Sequence, residues 1–141
     1  MGFYTVYSGV VSAAESLLNT VASIKSVKTG RVTRPRSDES PLAIISLADM
    51  PMQPGQLGGA YACELSLDVL VLTGQAEPAD WLKEVGTPMG DIVDAFDANR
   101  NLSGVVIAAI PRVFSPARIP FERTGVWLGG VVGFRILFRS K

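Results

Sequence analysis

Histidine is missing from this chain, and cysteine occurs once, as Cys63. The first absence removes the commonest general base and metal ligand among the side chains, which narrows enzyme chemistry sharply. The second rules out an intramolecular disulfide and with it a secreted disulfide scaffold, so synthesis in a reducing cytoplasm is expected. Charge of one sign is not in excess either. Thirteen basic residues face thirteen acidic ones, for a net charge of +0, and that balance withholds the bulk attraction behind non-specific binding to nucleic acid or anionic membrane. Long apolar runs are also lacking: Val105 to Pro111 and Gly125 to Phe134 fall well short of the roughly 20 residues of a membrane helix. No nucleic-acid partner and no membrane span are expected. Address signals fail as well. Val6 stands where a myristoylation motif wants Ser or Thr, and Ser8, Ser12 and Glu15 interrupt the apolar stretch that a secretory signal needs.

What is present suits one domain over residues 1–141. The chain has 141 residues, 48% of them hydrophobic, and a chain of that size hides roughly 70% of its unfolded surface without help from metals or disulfides. Phe3, Val6, Val10, Ala14, Leu17, Val21 and Ile24 recur at spacings of three and four, which predicts an amphipathic helix. Lys25 and Lys28 suit its C-terminal dipole, and Gly30 follows as a stop signal. Val27 to Val32 begin a strand. Thr33 to Pro41 carry charge and proline without an apolar residue and are read as a solvated loop. Leu42 to Ala48 fit a short buried strand. Asp49 to Gly59 break every regular pattern, and a second long loop is expected there.

Tyr61 to Thr73 alternate strictly, with Tyr61, Cys63, Leu65, Leu67, Val69 and Val71 on one face and Ala62, Glu64, Ser66 and Asp68 on the other. Leu70 and Leu72 make the far end of the second face apolar, to be covered by a helix or a neighbouring subunit. From Pro78, the residues Trp81, Leu82, Val85, Met89, Ile92, Val93 and Phe96 keep helical spacing. Gly86, Pro88 and Gly90 divide that segment into two expected pieces, the second capped by Thr87 with Pro88 at its first position. The turn Leu102-Ser103-Gly104 leads into a strand from Val105 to Phe114, in which Pro111 marks an edge or a bulge. Gly125 to Arg139 alternate again and form the closing strand. The expected fold is α/β of the α+β type: a mixed, mainly antiparallel sheet with the N-terminal helix and a second helical region packed on one face.

Candidate sites are few. Glu64 and Asp68 share a strand face with Ser66 between them and could hold a cation or line a ligand cleft, but the polar solvent face of a half-buried strand explains them fully. Cys63 has no histidine to activate it and reads as core. Gly55, Gly58 and Gly59 do not connect a strand to a helix in the manner of a phosphate-binding loop. Gly125, Gly129, Gly130 and Gly133 are expected to permit bending or close packing, and Trp81 and Trp127 fit either the core or an interface.

Taken together, the N-terminal helix, the exposed loop, the long strand at Tyr61 to Thr73 and the later helix make an ordered outline. The turn Asn101-Leu102-Ser103-Gly104, the strand after it and the arginine-bearing segment Gly133-Phe134-Arg135-Ile136-Leu137-Phe138-Arg139 complete it. This outline, chiefly from Met89 to Lys141, resembles the tail terminator (tail completion) proteins of long-tailed bacteriophages. Gly86, Pro88 and the loop from Met50 to Gly59 depart from the simplest form of that pattern. The resemblance implies a structural virion protein without catalysis or cofactor. It would be made in the host cytoplasm and would act at the tail–neck region as a homo-oligomeric ring, expected to hold six copies. Such a ring caps the tail tube protein, stops tail polymerisation and offers a joining surface to the head–tail connector. A ring needs different, mating patches on the two sides of each subunit. The two loops are the expected source: Arg31, Arg34 and Arg36 with Asp38 and Glu39 in the first, and Met50, Met52, Gln53, Gln56 and Leu57 in the second. Arginine's planar fork suits such contacts.

Overall fold

A computed structural model describes residues 3–30, 40–48, 52–54, 61–74, 81–102, 104, 106–121 and 125–140. In chain order the elements are α1 (Phe3–Leu18), β1 (Ser26–Thr29), β2 (Leu42–Ala48), β3 (Met52–Pro54), β4 (Tyr61–Gly74), α2 (Trp81–Ala98), β5 (Ala108–Phe121) and β6 (Gly125–Ser140). The strands form one six-stranded sheet in the order β1-β2-β4-β6-β5, with β3 added alongside β4. Only β1 and β2 run parallel; the other pairs are antiparallel. The mixed, mainly antiparallel sheet with both helices on one face is therefore present as expected.

Alternation builds the helix-covered face. Leu65, Leu67, Val69 and Val71 of β4 and Val132, Phe134, Ile136 and Phe138 of β6 are buried there, together with Ala43 and Ile45 of β2. From α1 the layer receives Val10, Ala14 and Leu18, and from α2 it receives Val85, Met89, Ile92 and Phe96. The Phe96 and Phe134 rings stack with centroids 4.2 Å apart and planes 21° from parallel. Such a contact adds about 0.5–1.5 kcal/mol to what burial alone supplies.

Several boundaries differ from the sequence expectation. The N-terminal helix stops at Leu18 rather than Ile24, because Thr20 and Val21 bond back three residues to Leu17 and Leu18 and the Thr20 hydroxyl also donates to the Leu17 carbonyl at 2.6 Å. Val21 and Ile24 remain buried in the turn that follows, so the apolar period outlasts the helix. Lys25 and Lys28 consequently lie outside that helix, and Gly30 ends β1 at a φ of 90°. Met52 to Pro54, expected to be irregular, pair with Tyr61 to Cys63 as β3.

The segment around Pro88 is one helix, not two. Thr87 does not cap a second piece; its hydroxyl donates to the Lys83 carbonyl one turn back, at 2.9 Å. Burial of Val85, Met89, Ile92 and Phe96 on a single stripe outweighs the amide that proline lacks. Gly86 and Gly90 have open space where a methyl group would sit. Gly86→Ala and Gly90→Ala should each raise stability by about 0.5–1 kcal/mol, read as a higher urea midpoint at unchanged slope.

The strand expected to end at Phe114 runs on to Phe121 through Pro116 and Pro120. An edge position permits this, since a proline's missing N–H can point away from the ladder. A register shift between Pro111 and Val113 makes Arg112 the extra residue of a bulge.

Candidate interaction surface

The same alternation that buries one face of the sheet leaves the other without a helix among the described residues. Leu42, Ile44, Leu72 and Trp127 form a small apolar cluster at one end of that second face, with Leu70, Ile119 and Phe121 packed against it. Cover for Leu72 thus comes from Trp127, which is 1% exposed, and not from a helix. Trp127 belongs to the core; the side chain of Trp81 lies outside the described residues.

Towards the other end the second face is polar. Ser66 of β4 pairs in register with Arg135 of β6, and Asp68 with Gly133. Arg135 grips Glu64 with two nitrogens, Nε to Oε1 at 2.6 Å and Nη2 to Oε2 at 2.9 Å. Fork-to-fork geometry strengthens such a pair, while partial exposure of both side chains limits it to at most about 1 kcal/mol. Arg112, lifted by the bulge, reaches across β6 to donate to the Ser66 hydroxyl at 3.4 Å. Gly133 leaves room for this: a Cβ there would lie 2.9 Å from Asp68 Oδ1 and 3.2 Å from Val113 Cβ. Ser66, Asp68, Arg112, Val113 and Gly133 line a depression of about 380 Å³. The pairing of Glu64 with Arg135 leaves Asp68 as the carboxylate in that depression, so the two acids do not act as a dyad.

The outer edge of the sheet is β5, and it is unusually apolar for a solvated strand. Ile107 is 58% exposed just before it, followed by Ile110 at 42%, Val113 at 38% and Phe114 at 51%. Its prolines fall in one row. Ala109 and Pro111 before the bulge, and Phe114, Pro116, Arg118 and Pro120 after it, oppose Ile136, Phe134, Val132, Gly130, Leu128 and Val126 of β6. Because proline sits in a sheet with its nitrogen turned outward, the amides of that whole row face away from β6. Ala109 N–H is already taken by the Arg100 carbonyl at 2.6 Å. An incoming strand would meet at most the amides of Phe114 and Arg118, so this edge resists strand addition while displaying apolar side chains.

Of the interface residues expected from sequence, the structure describes Met52 and Gln53, whose backbones pair with Cys63 and Ala62 in β3. Arg31, Arg34, Arg36, Asp38, Glu39, Met50, Gln56 and Leu57 lie outside the described residues. Cys63 pairs with Phe138 and Met52 through its backbone; its side chain is not described. The exposed β5 residues were missed by sequence reasoning. Pro111, Pro116 and Pro120 in one β-branched run carried the signal, since only an edge accommodates them together. Among the described residues no group of three His, Cys, Asp or Glu side chains is placed to hold a metal ion. No protein-family model and no curated protein matches this sequence.

Proposed function

We propose that this chain is a structural subunit of the tail terminator kind. It assembles with copies of itself into a ring, of six in the family it resembles, and acts without catalysis or cofactor. The ring sits on the last layer of tail tube protein in the tail–neck region of the virion, stops further growth and receives the head–tail connector. The observation that carries this reading is the exposed apolar edge at Ile107, Ile110, Val113 and Phe114. Ile110 and Val113 oppose Arg135 and Gly133 and so project from the uncovered face, while Phe114 opposes Val132 and projects from the helix-covered one. Large apolar side chains displayed on both sides of one edge suit burial against another protein, and the prolines of β5 keep that edge from recruiting stray strands. No observation favours the alternative, a ligand- or metal-binding cleft or small enzyme at Glu64 and Asp68, since Arg135 occupies the Glu64 carboxylate.

The decisive experiment adds the purified chain to tail tubes growing in vitro from their tube protein. Growth should halt, and electron micrographs should show a ring at one tube end. Tubes that lengthen unchanged, with bare ends, would refute the reading.

A further inference from the structure

Three features of β4, β5 and β6 converge on one spot of the uncovered face. Gly133 lies between Asp68 of β4 and Val113 of β5, in register with both. A side chain is thus missing from the middle of a three-strand row, and the gap is the floor of the depression of about 380 Å³. A Cβ on Gly133 would intrude there, standing 2.9 Å from Asp68 Oδ1 and 3.2 Å from Val113 Cβ. The bulge acts at the same place: two residues, Arg112 and Val113, meet the single Gly133, and both line the depression. Bulges re-aim side chains in this way, and here the one brought in is a guanidinium.

An acid and a base line one recess, yet they do not pair. Among the described residues Asp68 takes part in no ion pair, and Arg112 makes only its 3.4 Å bond to Ser66 Oγ. A guanidinium has five N–H donors and a carboxylate about four acceptor sites, so most of the hydrogen-bonding capacity of both groups is unused. Glu64 has no share in the recess, because Arg135 grips it with two nitrogens. Val113 and Val131 add an apolar wall. Ser66, which marks the reach of Arg112, and Asp68 stand two residues apart on β4, about 6.6 Å at ~3.3 Å per residue.

We propose that this recess binds a small zwitterion of the α-amino acid class. The ligand carboxylate accepts from Arg112 and from the Ser66 hydroxyl, the ligand ammonium donates to Asp68, and a short aliphatic side chain lies against Val113 and Val131. An α-amino acid carries both charges on one carbon, and with a charge-assisted hydrogen bond of about 2.8 Å at each end it spans the gap between the two protein groups. A ligand with one charge satisfies one of them and leaves the other unpaired. Volume limits the ligand as well, since about 380 Å³ is near the lower end of the range of about 300–1,000 Å³ for small-molecule sites. The site binds without chemistry, and it stands independently of the assembly reading.

Titration of the isotope-labelled chain with L-alanine, followed by two-dimensional NMR, tests the proposal. The amides of Asp68, Val113 and Gly133 should shift and saturate. Arg112→Gln and Asp68→Asn change side chains that are exposed and half-buried, and each should weaken binding by about tenfold or more through the loss of one charge-assisted contact. Gly133→Ala, whose methyl group enters the floor of the recess, should abolish binding; should that variant lose its native circular dichroism, the two charge variants decide alone. Acetate and methylammonium, which each carry half of the charge pattern, should bind more weakly than L-alanine by a similar factor. Absence of a saturable shift with L-alanine, undiminished affinity in either charge variant, or acetate binding as tightly as L-alanine would each overturn the zwitterion site. Chains that cap tail tubes but bind no amino acid would refute this site alone, and chains that bind L-alanine but leave tubes bare would refute the terminator reading alone.

Discussion

Gly129→Ala is expected to cost at least about 3 kcal/mol and to lower the thermal midpoint by roughly 10 °C, the upper end of what overpacking does in a sheet. Gly129 pairs with Leu72 next to the register shift between Leu72 and Gly74. A Cβ there would lie 1.8 Å from the Val71 carbonyl oxygen and 3.2 Å from the Leu72 Cα. Both obstacles are backbone of the neighbouring strand, so no rotamer change relieves them. β4 and β6 would have to separate where Val71 and Leu72 enter the two apolar clusters. Gly133→Ala provides the internal comparison. Its nearest obstacle is the tip of the Asp68 side chain, which can swing aside, and the loss should be clearly smaller. Differential scanning calorimetry of both variants checks the contrast; equal losses would mean that the close approach at Gly129 is not the cause.

Phe96→Ala should destabilise the chain by about 3–5 kcal/mol, the range for removing a large aromatic from a packed core. Phe96 is 0% exposed and contributes to the stacked pair with Phe134. It is also the last large side chain of the α2 stripe, so its loss uncouples the C-terminal turns of that helix from β6. Urea unfolding followed by tryptophan fluorescence reads the effect as a lower midpoint at unchanged slope. Phe96→Leu, which keeps apolar volume but no ring, should recover part of the loss. A midpoint for Phe96→Ala equal to that of the parent chain would mean that α2 is not held by this contact.

Long regular patterns were the most legible part of the sequence. β4 and β6 each show strict alternation over a buried face, and Leu42–Ala48 is an apolar run bounded by Pro41 on one side and Asp49 on the other, so these strands lie where the pattern puts them. Errors arose wherever tertiary contacts override a local signal. Pro88 and its flanking glycines look like a break, yet four buried side chains on one stripe hold α2 continuous. Val21 and Ile24 keep helical spacing, but they pack from a tight turn. Pro116 and Pro120 look like the end of a strand, and they survive because β5 has a neighbour on one side only. The candidate surface was the least legible, since exposure of Ile110, Val113 and Phe114 depends on sheet order. Nothing within residues 105–121 states that β6 covers only one side of that run.

Sheet order also governs when the β5 edge takes shape. β6 is the last strand in chain order, yet it lies between β4 and β5. During synthesis β5 therefore emerges before the strand that it pairs with; the β5–β6 pairing closes locally as a hairpin at Phe121 and Gly125, whereas the β4–β6 pairing joins distant parts of the chain and is the slower to form. The exposed edge at Ile110, Val113 and Phe114 is thus fixed in place only once residues 125–140 have paired with both β4 and β5.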